Sequence, residues 1–148
     1  MRHCQARPDA AAQIRGGPDA PKVSGVVRFY QSYGNVLVVA DISGLPQDNP
    51  SGFFALHIHD GDSCSGDDFS QTGSHYNPAG NAHPMHAGDL PPLMLCRGGA
   101  HLAVRTDRFR VQDILGRTVV IHSGPDDFRT QPAGASGVKI ACGVITKN

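Results

Sequence analysis

Residues 23–42 read VSGVVRFYQSYGNVLVVADI, two stretches rich in β-branched and aromatic residues on either side of Tyr33-Gly34-Asn35. A short segment with glycine and asparagine between two such stretches is typical of a hairpin turn. The sequence therefore predicts two antiparallel strands, residues 23–30 and 36–42. This hairpin indicates that the chain is built from strands.

Similar short apolar runs continue on both sides of the hairpin. They predict further strands at residues 10–14, 53–59, 93–96, 101–104, 118–122 and 138–145, while residues 111–115 are ambiguous. Two long segments rich in Gly, Asp, Ser and Pro, residues 60–92 and 123–137, predict loops, and loops this long are usually functional or disordered. No helix of normal length is predicted. Seven or eight short strands with two long loops indicate an all-β antiparallel sandwich or barrel.

Composition limits the class of protein further. A chain of 148 residues is most simply one domain, and 18 Gly with 11 Pro are too many for a helical bundle. The 13 basic and 13 acidic residues give no indication of nucleic-acid or membrane binding through net charge, and no segment approaches a membrane span. We expect residues 1–8 to form a flexible tail and residues 9–148 the domain. Residues 1–8 contain no apolar signal region, which predicts a cytoplasmic location unless a leader has been removed.

Six of the eight histidines, with one aspartate, have a spacing that suggests a metal site in two halves. The candidate ligands are His57, His59, His75, His83, His86, Asp89 and His122. Imidazole suits copper and zinc, and an added carboxylate suits zinc better. Seven ligands are too many for one tetrahedral ion but fit two ions that share one ligand. His75 is the first histidine of the long loop and could serve both ions, one through each ring nitrogen.

The two halves differ in how strongly they indicate a metal. Residues two apart on a strand point the same way, so His57 and His59 share a face and could bind one metal together. The simpler alternative to a metal-binding pair is two surface histidines on a strand. The loop residues His75, His83, His86 and Asp89 fall within 15 positions and would complete a tetrahedral zinc set. A solvated loop with scattered histidines does not explain that clustering.

Five segments, in order, resemble copper,zinc superoxide dismutases. They are HIH at 57–59, GSHYNP at 73–78, HAGDL at 86–90, GRTVVIH at 116–122 and ACGVI at 141–145. The resemblance covers roughly residues 10–146. It implies an eight-stranded antiparallel Greek-key barrel that carries the metals outside its wall. It also implies dismutation of superoxide to oxygen and hydrogen peroxide.

The resemblance assigns roles to individual residues. It implies copper ligands His57, His59, His75 and His122, and zinc ligands His75, His83, His86 and Asp89, with His75 bridging. Asp126 would link a copper histidine to a zinc histidine and so fix the orientation of both rings. Cys64 and Cys142 would form the family's disulfide, which the wide cysteine spacing alone does not suggest. Cys4 and Cys96 are expected to be free thiols.

The chain also departs from the family pattern. The family's active-site arginine is Lys139 here, which keeps the positive charge but loses the planar two-pronged hydrogen bond. Both long loops are shorter than the corresponding loops of the family. We therefore expect a working enzyme with weaker docking of the anion.

Two alternatives remain. One is a dismutase-like protein that stores or delivers copper, or that binds zinc only for structure. The other is a jelly-roll dioxygenase with a single iron, but such sites pair HxH with a glutamate, and the chain has none. The resemblance is compatible with a monomer or a homodimer.

Overall fold

The computed structural model describes residues 6–148, which form one eight-stranded antiparallel sheet. Its strands are β1 (Ala10–Gly16), β2 (Ser24–Ser32), β3 (Asn35–Ser43), β4 (Phe53–His59), β5 (Asp89–Met94), β6 (Ala100–Thr106), β7 (Thr118–His122) and β8 (Lys139–Lys147). Helical structure in this part of the chain is limited to a 3₁₀ turn, Ser70–Thr72, and one helical turn, Val111–Ile114. The predicted β fold is confirmed.

The strand order is β5-β4-β7-β8-β1-β2-β3-β6. The two end strands, β5 and β6, contact each other, so the sheet curls into a nearly closed barrel. Because β3 pairs with β6 and β4 pairs with β7, two connections cross the barrel end in Greek-key fashion. This topology puts β4, β7 and β8 side by side, and these strands carry much of the candidate site.

The hairpin between β2 and β3 forms as the sequence predicts. The turn is one residue shorter than the predicted Tyr33-Gly34-Asn35. Ser32 pairs with Asn35, so Tyr33 and Gly34 are the two residues outside the ladder. Gly34 has a positive φ of 74° there, a conformation that glycine adopts without steric cost.

The predicted boundary between the first long loop and the next strand is wrong. β5 begins at Asp89 and contains Pro91 and Pro92, whereas the sequence placed both prolines in the loop and a strand at residues 93–96. Proline lacks the N–H that a ladder needs, but β5 pairs in register only with β4, and that register shifts between Phe54 and Leu56. An edge strand with a bulge tolerates both prolines.

Side chains along β4 and β7 point alternately into the barrel core and towards the candidate site. Leu56 and Ile58 of β4 and Ile121 of β7 are fully buried in the barrel core. The histidines between and after them, His57, His59 and His122, therefore lie on the outer face, where the long loops bury them. The predicted assignment of faces is confirmed.

The chain is tied to the sheet from Asp9 onward. The Asp9 amide donates to the Phe29 carbonyl, and the Asp9 carboxylate accepts the Gln31 amide at 2.7 Å. Residues 6–8 precede the first strand and belong to no helix or strand. The rest of the predicted tail, residues 1–5 with His3 and Cys4 among them, lies outside the described residues. Within those residues no helix is long and apolar enough to cross a membrane.

Candidate metal centre

The first long loop folds back so that His75 lies beside β4. His75 forms an isolated bridge with His59, and the Tyr76 amide donates to the Ile58 carbonyl at 2.8 Å. Gly88 permits the same close approach, because a Cβ there would lie 2.2 Å from the Ile58 carbonyl oxygen. The backbone alone therefore brings the loop histidines to the strand histidines.

All seven predicted ligands come together, in two clusters that share His75. The four-histidine cluster consists of His57, His59, His75 and His122. The aspartate cluster consists of His75, His83, His86 and Asp89. Within each cluster one potential ligand atom per residue lies within 4.8 Å of the others, and every member is buried.

Hydrogen bonds fix the tautomers of two rings in the four-histidine cluster. His59 Nδ1 donates to the Gly73 carbonyl at 2.8 Å, and His122 Nδ1 donates to the Gly137 carbonyl at 3.5 Å. Both Nε2 atoms therefore carry lone pairs, yet they face each other at 3.2 Å. Two lone pairs at this distance repel each other unless a cation lies between them, so the arrangement fits a metal ion.

Asp126 fixes one ring in each cluster. Its carboxylate accepts the Nε2–H of His57 at 2.8 Å and that of His83 at 2.7 Å. The Nδ1 atoms of both rings are left buried without a hydrogen-bond partner. Unpartnered buried nitrogens are costly, and metal coordination would satisfy them.

The charged state of Asp126 is strongly favoured. Burial alone would raise the pKa of this carboxyl, but the hydrogen bonds from His57, His83 and the Phe128 amide hold it well below its usual value. Gly134 allows the enclosure, because a Cβ at that position would lie 2.0 Å from the Asp126 Oδ1 atom. Sequence analysis missed Gly134, since nothing near it in the chain marks this contact.

The aspartate cluster converges on the Asp89 carboxylate. His75 Nδ1 lies 2.7 Å from Oδ1, and His83 Nδ1 and His86 Nδ1 lie 3.0 and 3.3 Å from Oδ2. Burial raises the pKa of Asp89, but the hydrogen bond from His75 and the neighbouring histidines lower it overall. Three imidazoles and one ionised carboxylate match a closed tetrahedral zinc site.

The strand histidines are held neutral. Burial lowers the pKa of His59 to about 2 and the pKa of His122 to about 3. In both cases the backbone hydrogen bond acts in the opposite direction and does not compensate. A neutral imidazole is the form that binds a metal, so both rings can act as ligands over a wide pH range.

Lys139 lies at the edge of a cleft of about 840 Å³ that also reaches His59, His75 and His122. Its Nζ atom donates to the hydroxyl of Thr72 at 2.8 Å and to two carbonyls, those of Gly73 at 3.2 Å and Phe69 at 3.4 Å. Burial lowers the pKa of Lys139, and the charge of Asp68 acts against this shift. Sequence analysis missed Thr72, which lies 67 positions away.

The disulfide between Cys64 and Cys142 is confirmed, with the Cα atoms 5.8 Å apart. It joins the first long loop to β8 and packs with Phe69 and Val120. Among the described residues Cys96 is a free, exposed thiol, as expected.

The chain is similar to proteins of one known family. The family model described as copper/zinc superoxide dismutase matches residues 23–145. The chain belongs to the copper/zinc superoxide dismutase family. This membership makes the iron dioxygenase alternative wrong, and copper and zinc are the metals that the family implies for the two clusters.

Individual relatives agree with this assignment. A protein named superoxide dismutase [Cu-Zn] 2 from Aquifex aeolicus is 32% identical over 139 residues, which cover 84% of this chain and 80% of that protein. Superoxide dismutase [Cu-Zn] from Legionella pneumophila is 33% identical, with 93% and 86% covered. The human copper chaperone for superoxide dismutase is 32% identical over 94% of this chain but only 53% of its own length.

Proposed function

We propose that this protein dismutates superoxide to oxygen and hydrogen peroxide. The observation that carries the proposal is the position of His75. Its Nδ1 atom faces Asp89 at 2.7 Å and His86 at 3.1 Å, whereas its Nε2 atom is buried without a partner. One ring can thus join two metals of different character, the arrangement that a dismutase of this family needs.

The chemistry of the two donor sets favours different metals. His57, His59, His75 and His122 provide only imidazole nitrogens and would hold copper. His75, His83, His86 and Asp89 include a carboxylate and would hold zinc. Copper, when bound, supplies the one-electron couple by which one superoxide is oxidised to oxygen and a second, with two protons, is reduced to hydrogen peroxide.

Lys139 would attract and orient the anion. The cleft leads to His59, His75 and His122, and the Lys139 ammonium is the cation at its edge that faces Thr72 and Gly73. Its weakest hydrogen bond, to Phe69 at 3.4 Å, is the one that an arriving anion replaces most easily. The attraction is electrostatic and therefore weakens with salt.

His75 would hold one of the two protons. Its Nε2 atom lies in a buried position at the shared edge of the clusters, while Nδ1 stays directed at Asp89. Protonation at Nε2 leaves the ring in place, because the contacts of Nδ1 are not disturbed. The proton is then available beside the cleft for the peroxide product.

Pulse radiolysis of protein loaded with one copper and one zinc tests the proposal. We expect copper-dependent superoxide decay that slows as the salt concentration rises. Protein with copper alone and with zinc alone serves as the control. Decay no faster than in buffer, with both metals bound, would contradict dismutation.

Storage or delivery of copper is the second candidate function. It is favoured by the engagement of the Lys139 ammonium with three protein acceptors, which leaves it less free to bind an anion. This candidate predicts two bound metals, slow superoxide decay and transfer of copper to a chelator or acceptor protein. Homodimer formation and a cytoplasmic location remain predictions from the sequence.

A further inference from the structure

Residues 83–89, which we call the ligand loop, carry most of the aspartate cluster. This loop has little apolar surface of its own. Met85 is exposed, and Ala87 is only partly buried where it packs on the barrel core. Within residues 83–89 one main-chain hydrogen bond forms, from the Asp89 amide to the His86 carbonyl at 3.1 Å. Such a segment needs contacts from outside to hold three ligands in one geometry.

Arg108, two residues after the end of β6, supplies such contacts. Its Nη1 atom donates to the main-chain carbonyls of Pro84 at 2.9 Å, His86 at 3.2 Å and Asp89 at 3.3 Å. The Nη2 atom lies 3.6 Å from the Met85 sulfur. All four contacts are to the ligand loop, and two of the carbonyls belong to residues of the aspartate cluster.

Gln131 holds the other end of the same loop. The His83 amide donates to Gln131 Oε1 at 2.9 Å, and Gln131 Nε2 donates to the His83 carbonyl at 2.7 Å. This reciprocal pair fixes the backbone of His83, while Asp126 fixes its ring. Besides the main-chain hydrogen bonds of Gly88 with Ile58 and Tyr76, the loop is thus held by Arg108 and, from the second long loop, by Gln131.

We propose that Arg108 is a positioning residue for zinc. Its side chain holds the ligand loop in its binding conformation before the ion arrives. The inference rests on the zinc site proposed above. A loop already in place loses less conformational entropy on binding, and so binds the ion more tightly. Partners that hydrogen-bond the metal-ligating side chains typically contribute about 10- to 100-fold in metal affinity, and we take this range as the scale for a residue that holds the ligand backbone.

Charge and hydrogen bonding make opposite predictions for Arg108. As a cation near a Zn²⁺ site, the guanidinium would repel the ion, so its removal would tighten binding. As a donor to three carbonyls, its removal would weaken binding. Arg108 is an exposed residue, and solvent and salt screen its charge, so we expect the hydrogen bonds to dominate.

The test compares Arg108→Gln, Arg108→Lys and the matched control Arg105→Gln in the full chain. Arg105 lies on β6, and its Nη1 atom donates to the Asn35 side chain at 3.0 Å, so the control removes the same charge. Zn²⁺ affinity is measured by competition with a chelator, and Co²⁺ absorption reports the coordination geometry. Cu²⁺ affinity and its electron paramagnetic resonance spectrum report the four-histidine cluster.

We expect Arg108→Gln to weaken Zn²⁺ and Co²⁺ binding by about 10- to 100-fold, with a changed Co²⁺ spectrum. Arg108→Lys should fall between it and the wild type, because lysine keeps the charge and the donors but is shorter and more flexible than arginine. Cu²⁺ binding and Arg105→Gln should match the wild type. Unchanged or tighter Zn²⁺ binding in Arg108→Gln, or an equal loss in the control, would overturn the inference.

Gln131→Ala provides a second test should Arg108→Gln fail to fold. Its loss of zinc affinity, with metal-free stability close to that of the wild type, would support a loop held from outside. Full zinc affinity in that variant would overturn this idea. Absence of Zn²⁺ binding by the wild-type chain is a different result, since it would contradict the proposed zinc site itself.

Discussion

The Nζ atom of Lys139 lies 2.8 Å from the hydroxyl oxygen of Thr72. Thr72 is fully buried and gives its own proton to the Phe69 carbonyl at 2.8 Å, so its oxygen is left as an acceptor for the lysine. Thr72 thus fixes where the ammonium lies relative to the cleft. A lysine has four flexible side-chain bonds, and one buried partner restricts them considerably.

Replacing Thr72 by Val should slow superoxide decay several-fold without emptying either metal cluster. Valine keeps the branched shape but removes the acceptor of Lys139 and the hydroxyl donor of the Phe69 carbonyl, which still accepts the amide of residue 72. The lost hydroxyl–carbonyl hydrogen bond costs about 0.5–1.5 kcal/mol. The rate by pulse radiolysis and the affinity for azide, an anionic probe, measure the effect. Thr146→Val, on the exposed end of β8, is the control. A rate equal to that of the wild type would contradict the positioning role.

Changes at Lys139 itself separate charge from shape. Lys139→Gln should lower the superoxide decay rate and flatten its salt dependence, because the attracting charge is lost. Lys139→Arg should raise the rate above that of the wild type, since the planar guanidinium adds a second hydrogen bond. Metal content by atomic absorption is the control. Unchanged turnover in Lys139→Gln would refute the docking role.

Asp126 is expected to set the affinity of the aspartate cluster. Asp126→Asn keeps the size but loses the charge and one acceptor, so only one of the His57 and His83 rings stays correctly held. We expect zinc affinity to fall by about 10- to 100-fold, measured by chelator competition. Asp127→Asn is the neighbouring control, because the Asp127 carboxylate accepts its hydrogen bonds from Arg129 and Thr130 of the exposed turn. Equal affinities in the two variants would argue against the role of Asp126.

The metal-free protein should lose stability as the pH falls below about 6.5. Burial lowers the folded-state pKa of His59 to about 2 and that of His122 to about 3. The unfolded chain therefore binds more protons, and stability declines from the unfolded value of 6.5 down towards these pKa values. Between pH 7.5 and pH 5 the loss is about 2 kcal/mol for each ring. Urea unfolding at both pH values measures it, and a flat profile would contradict the burial of neutral rings.

The disulfide should contribute to stability through the unfolded state. It closes 77 intervening residues, for which chain-entropy models give about 4 kcal/mol. Cys64→Ser should therefore lower the free energy of unfolding by about this amount in urea. Cys96→Ser, at the exposed free thiol, should leave it unchanged. Loss of the same size in both variants would point to a general effect of removing cysteine.

The fold could be predicted from the periodicity of apolar residues, but not every strand boundary could. β4 and β7 match their predicted bounds because alternation and β-branched residues mark them clearly. The start of β5 was missed because Pro91 and Pro92 indicate a loop locally. Only the position of β5 beside β4 at the end of the order explains why two prolines are tolerated there.

The ligands could likewise be predicted, and the contacts that hold them largely could not. His57, His75 and Asp89 are residue types with metal chemistry, and their spacing forms a pattern. Thr72 and Arg108 are ordinary residues whose role depends on partners distant in sequence. Thr72 meets Lys139 across 67 positions, and Arg108 meets Pro84 across 24. Such relationships appear only when the chain is folded.

The Gly73 carbonyl accepts two donors, His59 Nδ1 at 2.8 Å and Lys139 Nζ at 3.2 Å. An anion that draws the ammonium off Gly73 as well as off its weaker contact to Phe69 would leave this oxygen to His59 alone and strengthen the remaining hydrogen bond. The imidazole would then become more electron-rich at its opposite nitrogen. The arrival of a negative ion at the mouth of the cleft would thereby be transmitted, through one peptide group, to the donor strength of a ring inside it.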